Sequence, residues 1–219
     1  MQYRQSLLSL AVITIGALAA GPSALADTMY QVTVNTTSQT GNYGYIDFQL
    51  NPSGGGSQAV DAQVLNFMSD GVLNPADPLD GTIGEATGVL PGTIMLINSE
   101  STNEYTEGMT FGTTATFELD LYGPAISMPN GQGGGSFYLD FFDTNGNPLL
   151  TTSSTGYALE LDILGSGSVS VAYQSPDVTL STPVATPEPS SLALLSGGLA
   201  ILGLFRGRQR VSELFRSAR

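Results

Sequence analysis

The stretch Ala115-Thr116-Phe117-Glu118-Leu119-Asp120-Leu121 decides the fold class. Apolar side chains occupy its odd positions, and polar side chains occupy the even positions between them. Successive side chains of a β-strand point to opposite faces, so a period of two predicts a strand with one buried face and one wet face. A helix would need a period of 3.6, which this stretch does not have.

The same alternation recurs throughout residues 27–187, where no segment shows a good helical period. Gly and Pro interrupt it every eight to twelve residues, which is typical of all-β sandwiches and barrels. We therefore predict an antiparallel β-sandwich, jelly-roll-like, with about ten main strands. The predicted strands are 29–35, 43–50, 58–66, 81–86, 92–97, 103–107, 113–122, 136–143, 156–164 and 168–174, with a short last strand at 177–181.

Charge is distributed very unevenly along the 219 residues. The chain has 6 Lys+Arg, 19 Asp+Glu, no His and no Cys, and no basic residue lies between Arg4 and Arg206. Leaving out Glu188 and Glu213, the segment 27–187 holds 17 of the 19 acidic residues and has a formal charge of −17. Nucleic-acid binding by phosphate neutralisation, His, Cys or Lys chemistry, and disulfides are therefore excluded for this segment.

The first 26 residues have the pattern of a secretory signal peptide. Arg4 supplies the positive start, residues 7–20 are apolar, and Ala24-Leu25-Ala26 is a small-x-small cleavage site. The pattern predicts an N-terminal signal helix that signal peptidase removes at the site Ala24-Leu25-Ala26. The mature chain would begin near Asp27, with a domain over residues 27–182.

The C-terminal region has the pattern of a membrane anchor. A Pro-rich linker at 183–189 precedes an apolar segment at 190–205, and a basic tail at 206–219 follows. The pattern predicts a transmembrane helix at 190–205. Arg206, Arg208 and Arg210 predict that the tail stays in the cytoplasm and that residues 27–189 lie outside.

Pro187-Glu188-Pro189, the apolar segment and the cluster Arg206, Arg208 and Arg210 together resemble the PEP-CTERM sorting signal of Gram-negative bacteria that make exopolysaccharide. The resemblance implies recognition by exosortase, a membrane cysteine protease-transpeptidase that removes the tail near the Pro-Glu-Pro motif. The extension 211–219 departs from the family pattern, which usually ends soon after the arginines.

Parts of the domain also resemble a family of exported PEP-CTERM proteins. The similar segments are 30–36, 44–52, 111–117 and 177–179. That family has no assigned activity, so the resemblance implies a small extracellular β-sandwich and nothing catalytic.

Carboxylates, hydroxyls, amides and phenols are the chemistry left to the domain. Glu118 with Asp120, and Glu160 with Asp162, lie two residues apart on one strand face, where a carboxylate-based hydrolase would be possible. The alternation that predicts strands also places charges on any wet face, so we interpret both pairs as solvated.

Two binding modes remain open. Calcium prefers oxygen ligands, and Asp143, Asn145 and Asn147 resemble the start of a calcium loop, but Pro148 stands where such a loop needs Gly. We interpret this segment as a turn and keep calcium open elsewhere. Saccharide binding is favoured by aromatic residues on the polar phase of their strands, namely Tyr43, Tyr45, Tyr122, Tyr138 and Phe142.

The sequence thus predicts a non-enzymatic exported protein with no required cofactor. It would be anchored transiently in the inner membrane and then reach the cell surface or the biofilm matrix. The alternatives are a carbohydrate-binding module, with or without calcium, and a carboxylate hydrolase. The predicted partners are signal peptidase, exosortase and exopolysaccharide. The segment 70–81, which has no strand pattern, is either a functional loop or a solvated one.

Overall fold

The structure is a computed structural model that describes residues 27–77 and 79–181 and the backbone of 184–186. The predicted signal peptide with Ala24 and Ala26, the Pro187-Glu188-Pro189 motif, the helix at 190–205 and the tail with Arg206, Arg208 and Arg210 lie outside the described residues. No helix in the part of the chain that the structure describes is long and apolar enough to cross a membrane.

The described residues are almost entirely β-structure. The strands are β1 Asp27–Asn35, β2 Tyr43–Asn51, β3 Asp61–Ser69, β4 Val72–Leu73, β5 Gly81–Ile83, β6 Ala86–Gly88, β7 Ile94–Ile97, β8 Glu104–Thr110, β9 Thr114–Tyr122, β10 Gly135–Asp143, β11 Leu159–Ile163, β12 Val169–Gln174, β13 Val178–Leu180 and β14 Val184–Thr186. A 3₁₀ turn covers Thr37–Gln39, and a one-turn helix, α1, covers Pro124–Ser127.

The strands form two antiparallel sheets. Sheet A has the order β13-β1-β9-β3-β7-β6, with β14 also paired to β1, and sheet B has the order β12-β11-β10-β2-β8-β4, with β5 also paired to β8. The predicted all-β class with two antiparallel sheets is confirmed, and the arrangement is consistent with a β-sandwich.

One apolar core joins the two sheets. The alternating residues Phe117, Leu119 and Leu121 of β9 are fully buried, and so are Ile46, Phe48 and Leu50 of β2. The ring of Phe48 meets the ring of Phe117 edge to face at a centroid distance of 5.2 Å, which joins sheet B to sheet A. Among the described residues, those of the buried core lie between Tyr30 and Val178, within the compact unit Leu25–Thr186, so a chain of residues 27–186 retains this core.

The structure differs from the predicted strands in several places. The strand predicted at 58–66 is β3 at 61–69, because a register shift between Leu65 and Met68, with Asn66 at a φ of +52°, lets the strand continue past residue 66. The strand predicted at 81–86 is two strands, β5 and β6, since Gly84 breaks it at a φ of +64°. The segment predicted to lack strands contains the two-residue β4.

The domain predicted to lack a helix contains α1, whose single turn is too short to show a period of 3.6. Pro124 stands at its start, where the missing N–H costs no intrahelical hydrogen bond.

Replacing Phe48 tests the packing between the sheets. Phe48→Ala is expected to lower the free energy of unfolding of residues 27–186 by about 3–5 kcal/mol, because it leaves a cavity in a closed core. Urea denaturation measures this loss. The control is Met68→Ala, at a side chain that is 66% exposed, where a change within about 0.5 kcal/mol is expected. Equal losses for both variants would contradict the role of Phe48.

Candidate functional site

The outer face of sheet B, the face turned away from the core, gathers the polar and aromatic residues of its central strands. Strand pairing sets Tyr45 opposite Phe142, Asp47 opposite Asp140, and Gln49 opposite Tyr138. Four of the five aromatics predicted for saccharide binding lie on this face: Tyr43, Tyr45, Tyr138 and Phe142. Tyr122 lies on β9 in sheet A.

Asp47 and Asp140 form a carboxyl pair at the centre of this face. Thr106 Oγ1 donates to Asp47 Oδ1 at 3.0 Å, and Gln49 Nε2 donates to Asp47 Oδ2 at 2.7 Å and to Asp140 Oδ2 at 3.3 Å. Asp140 Oδ1 is buried and has no hydrogen-bond partner among the described residues. Asp47 is only 2% exposed and Asp140 is half-buried, so Asp140 is the more accessible member of the pair.

The carboxyl pair holds protons more tightly than isolated aspartates do. Burial raises the pKa of Asp47 to about 7, and the nearby charge of Glu104 adds to the effect. Burial, followed by the charges of Asp47, Glu104 and Glu160, raises the pKa of Asp140 to about 8. Because no Lys, Arg or His lies between Arg4 and Arg206, no basic side chain of the domain offsets these charges. The pair therefore retains a proton near neutral pH.

Two aromatic pairs flank the carboxyl pair along β10. Tyr45 stacks on Phe142 with a centroid distance of 5.0 Å, and Tyr138 packs against Tyr157 at 4.2 Å. Tyr45 is buried, whereas Tyr138, Phe142 and Tyr157 are partly exposed. The rings that a ligand can reach are therefore those of Tyr138, Phe142 and Tyr157.

An open depression of about 510 Å³ lies beside Asp140. Its lining consists of Asp140, Phe141, Phe142, Gly146, Pro148, Ser154, Thr155 and Gly156. The loop that follows β10 supplies the rim, where the Ser154 and Thr155 side chains are exposed. The depression therefore combines apolar surface from Phe142 and Pro148 with hydroxyl groups and one carboxyl.

The Asn145-Gly146 turn fixes the near side of this rim. Asp143 Oδ1 accepts hydrogen bonds from the backbone N–H groups of Asn145 and Asn147 at 2.8 and 2.9 Å, and Oδ2 accepts one from Asn147 Nδ2 at 2.9 Å. These hydrogen bonds lower the pKa of Asp143 to about 2, and the bond from the Asn147 side chain has the largest effect. Gly146 takes a φ of +77°, which glycine adopts without strain. The predicted turn is confirmed.

The segment 70–81 is tied to the rest of the domain by its carboxylates. Asp77 accepts hydrogen bonds from the hydroxyls of Tyr43 at 2.6 Å and Tyr45 at 3.2 Å. Asp70 accepts them from the backbone N–H of Thr113 at 2.8 Å and of Thr114 at 2.9 Å. The hydroxyls of Tyr43 and Tyr45 thus serve to hold this segment against sheet B.

The two carboxylate pairs considered for hydrolysis lie on different sheets. Glu118 and Asp120 lie on sheet A, where Asn66 Nδ2 donates to Glu118 Oε2 at 2.8 Å. Glu160 and Asp162 lie on β11 of sheet B, and Ser136 Oγ donates to Asp162 Oδ1 at 2.6 Å. The pair Asp47 with Asp140, joined through Gln49, was missed from sequence because it depends on the register between β2 and β10.

Across residues 27–77 and 79–181, the acidic side chains form no metal-binding cluster, because no three of them come close enough together to hold a metal ion.

No protein-family model, no curated protein and no solved structure matches this chain. The candidate site is therefore defined by its own geometry.

The carboxyl pair predicts a specific dependence of stability on pH. A carboxyl with a raised pKa in the folded state stabilises the fold fully below the unfolded pKa of about 4, and this contribution is lost progressively as pH rises from about 4 to the folded pKa values of about 7 and 8. Asp140→Asn is expected to match the wild type near pH 4.5 and to be more stable by about 1–3 kcal/mol near pH 8.5. Urea denaturation between pH 4.5 and 9 measures the difference.

Asp143→Asn is the control for this experiment, because Asp143 is already ionised throughout that range. It is expected to lower stability by a similar amount from pH 4.5 to pH 9, since it disturbs three hydrogen bonds. An Asp140→Asn variant whose stability parallels the wild type at every pH would contradict the assignment.

Proposed function

We propose that this chain is an exported, non-enzymatic protein of the cell surface or biofilm matrix of a Gram-negative bacterium, sorted through a C-terminal PEP-CTERM signal. Two sequence patterns support this proposal. The first is the Pro187-Glu188-Pro189 motif followed by the apolar segment and the arginine cluster, and the second is the signal-peptide pattern of residues 1–26. Signal peptidase would remove residues 1–26. The transmembrane helix at 190–205 would then hold the chain in the inner membrane until exosortase cleaves the tail near the Pro-Glu-Pro motif. The sandwich would be jelly-roll-like.

We also propose that the outer face of sheet B binds polysaccharide. The observation that carries this proposal is the open depression beside Phe142, which has apolar surface on one side and the exposed side chains of Ser154 and Thr155 on its rim. Sugar rings stack their C–H faces on aromatic side chains, and their hydroxyls pair with Ser, Thr and carboxyl oxygens. Phe142, Ser154 and Thr155 provide both kinds of contact within one depression.

The negative charge of the domain limits which class of polysaccharide it can bind. Seventeen carboxylates without a basic side chain repel an anionic polymer, so the proposed ligand is a neutral saccharide. The proton retained by Asp47 and Asp140 reduces the negative charge at the site itself. An anionic polymer would need bridging calcium, which makes its binding dependent on that ion.

Hydrolysis is not part of the proposal. Asp47 is buried, and Thr106 and Gln49 already donate to its two oxygens, so only Asp140 of the pair borders the depression. A mechanism with two carboxylates needs both groups to face the substrate.

Affinity gel electrophoresis against the exopolysaccharide of the source organism tests the binding site. The wild-type segment 27–186 is expected to be retarded, and Phe142→Ala and Thr155→Glu are each expected to weaken binding about tenfold or more, which corresponds to about 1.4 kcal/mol. Thr155 is exposed, so its replacement should not affect folding.

Tyr122→Ala, on sheet A, is the control and should bind like the wild type. Repeating the gel with calcium and with chelator separates direct binding from calcium bridging. No retardation in either condition would refute the binding proposal.

Mass spectrometry of the secreted protein tests the sorting proposal separately. The expected mature chain begins near Asp27 and ends close to Glu188, without the cluster Arg206, Arg208 and Arg210. A variant with Pro187, Glu188 and Pro189 all replaced by Ala should keep its tail and stay in the membrane fraction. A wild-type secreted protein that is intact through Arg219 would rule out processing.

A further inference from the structure

Strand β10 presents three successive outward side chains, Tyr138, Asp140 and Phe142, in the order aromatic, carboxyl, aromatic. All three are partly exposed, whereas the alternate side chains of the strand are buried in the core. The pairing of β10 with β2 has no register shift along this run, so at the usual rise per strand residue the two aromatic positions lie about 13 Å apart. A six-membered sugar ring is about as wide as a phenyl ring, so one sugar cannot contact both.

The aromatic surface at the Tyr138 end is built from two rings. Tyr138 packs against Tyr157 with a centroid distance of 4.2 Å, and both side chains are partly exposed. Tyr157 directly follows Gly156, which lines the depression beside Phe142. We call these surfaces the Tyr138–Tyr157 platform and the Phe142 platform. Because Asp140 also lines the depression, the two platforms belong to one continuous strip of the outer face of sheet B.

The loop 148–157 forms a fixed wall beside this strip. Near its start, the backbone N–H of Leu149 donates to the carbonyl of Phe141 at 2.7 Å. In its middle, the backbone N–H of Thr152 donates to the hydroxyl of Tyr173 at 3.1 Å, which ties the loop to β12. A wall that is already held in place need not be ordered when a ligand binds, so less entropy is lost on binding.

The strip continues past both platforms without a bulky side chain. Beyond Tyr138, the next outward side chain of β10 is the small Ser136. Beyond Phe142, the strand leads into the exposed Asn145-Gly146 turn. A polymer can therefore extend in both directions, which favours binding of the interior of a chain over binding of its terminus.

We propose, on the basis of the saccharide-binding role above, that the strip binds a linear neutral polysaccharide along β10. One sugar stacks on the Phe142 platform, another stacks on the Tyr138–Tyr157 platform, and the sugars between them pass over Asp140. About three consecutive sugars are needed to span the 13 Å between the platforms. Aromatic rings stack on the C–H faces of sugars, whereas the polar middle of the strip suits their hydroxyl groups.

Fluorescence anisotropy with oligosaccharides of graded length tests this arrangement. The probes are fragments of the neutral exopolysaccharide of the source organism, from monosaccharide to octamer, labelled at the reducing end. The protein is the chain of residues 27–186. We expect the affinity to rise at least tenfold once a fragment reaches both platforms, because the second contact is then intramolecular, and to change little with further length.

Tyr138→Ala should remove this gain. Its affinity for long fragments should fall at least tenfold, to the level of short fragments, whereas its affinity for short fragments should equal that of the wild type, which also shows that the variant is folded. Phe142→Ala should weaken binding at every length. Tyr122→Ala, the same substitution on the outer face of sheet A, is the matched control and should keep the full gain with length.

Two results would overturn the two-platform arrangement and leave the depression as a site for a single sugar. One is an affinity that does not depend on fragment length, and the other is a gain with length that survives in Tyr138→Ala. The absence of binding to every fragment would refute the saccharide-binding role itself, and the two-platform arrangement with it.

Discussion

Apolar packing between the two sheets is the interaction on which the rest of the structure depends. The domain has no cysteine and no basic residue, so neither a disulfide nor a side-chain ion pair can hold sheet A to sheet B. Phe48, Phe117 and their buried neighbours therefore supply the main cohesion between the layers. The outer faces are free to carry polar groups because they contribute little to this packing.

The absence of Lys, Arg and His from the domain also determines how each carboxyl group is stabilised. Asp70 and Asp143, at the surface, accept several hydrogen bonds, first from a side-chain donor (Thr113 and Asn147, respectively) and then from backbone N–H groups, and these bonds lower the pKa of each to about 2. Asp47 is buried, Asp140 is half-buried, and this pair retains a proton instead. Glu107, 1% exposed, accepts a hydrogen bond from the Tyr105 hydroxyl, and burial raises its pKa. Hydroxyls, amides and protons thus take the place that Lys and Arg fill in most domains.

Alternation was sufficient to predict the fold class, because a period of two is a local property of each strand. It placed β9, β10 and β2 within a residue or two and assigned Phe117 to the buried face of its strand. What it could not predict is which strands are neighbours. The pairing of Asp47 with Asp140 requires the register of β2 on β10, which are 93 residues apart at these positions, as read from the pair Asp47↔Asp140.

The depression beside Asp140 could not be predicted for a similar reason. Its walls come from β10 and from the loop that follows, whose course depends on the Asp143 turn and on Tyr157 packing against Tyr138. The aromatic residues on the polar phase were the one signal in the sequence that pointed to this face. That signal also included Tyr43 and Tyr45, whose hydroxyls instead hold the segment 70–81.

The pairing of β1 with β14 has a mechanical consequence. Asp27 and Thr186, at the two ends of the domain, are direct partners across this antiparallel pair, so both ends lie at one corner of sheet A. A pulling force applied through the chain beyond Thr186, with the other end held near Asp27, would load the hydrogen bonds of this ladder one after another. Such unzipping resists force weakly, so β14 would detach first and lengthen the tether while the core beneath Phe48 and Phe117 stays closed.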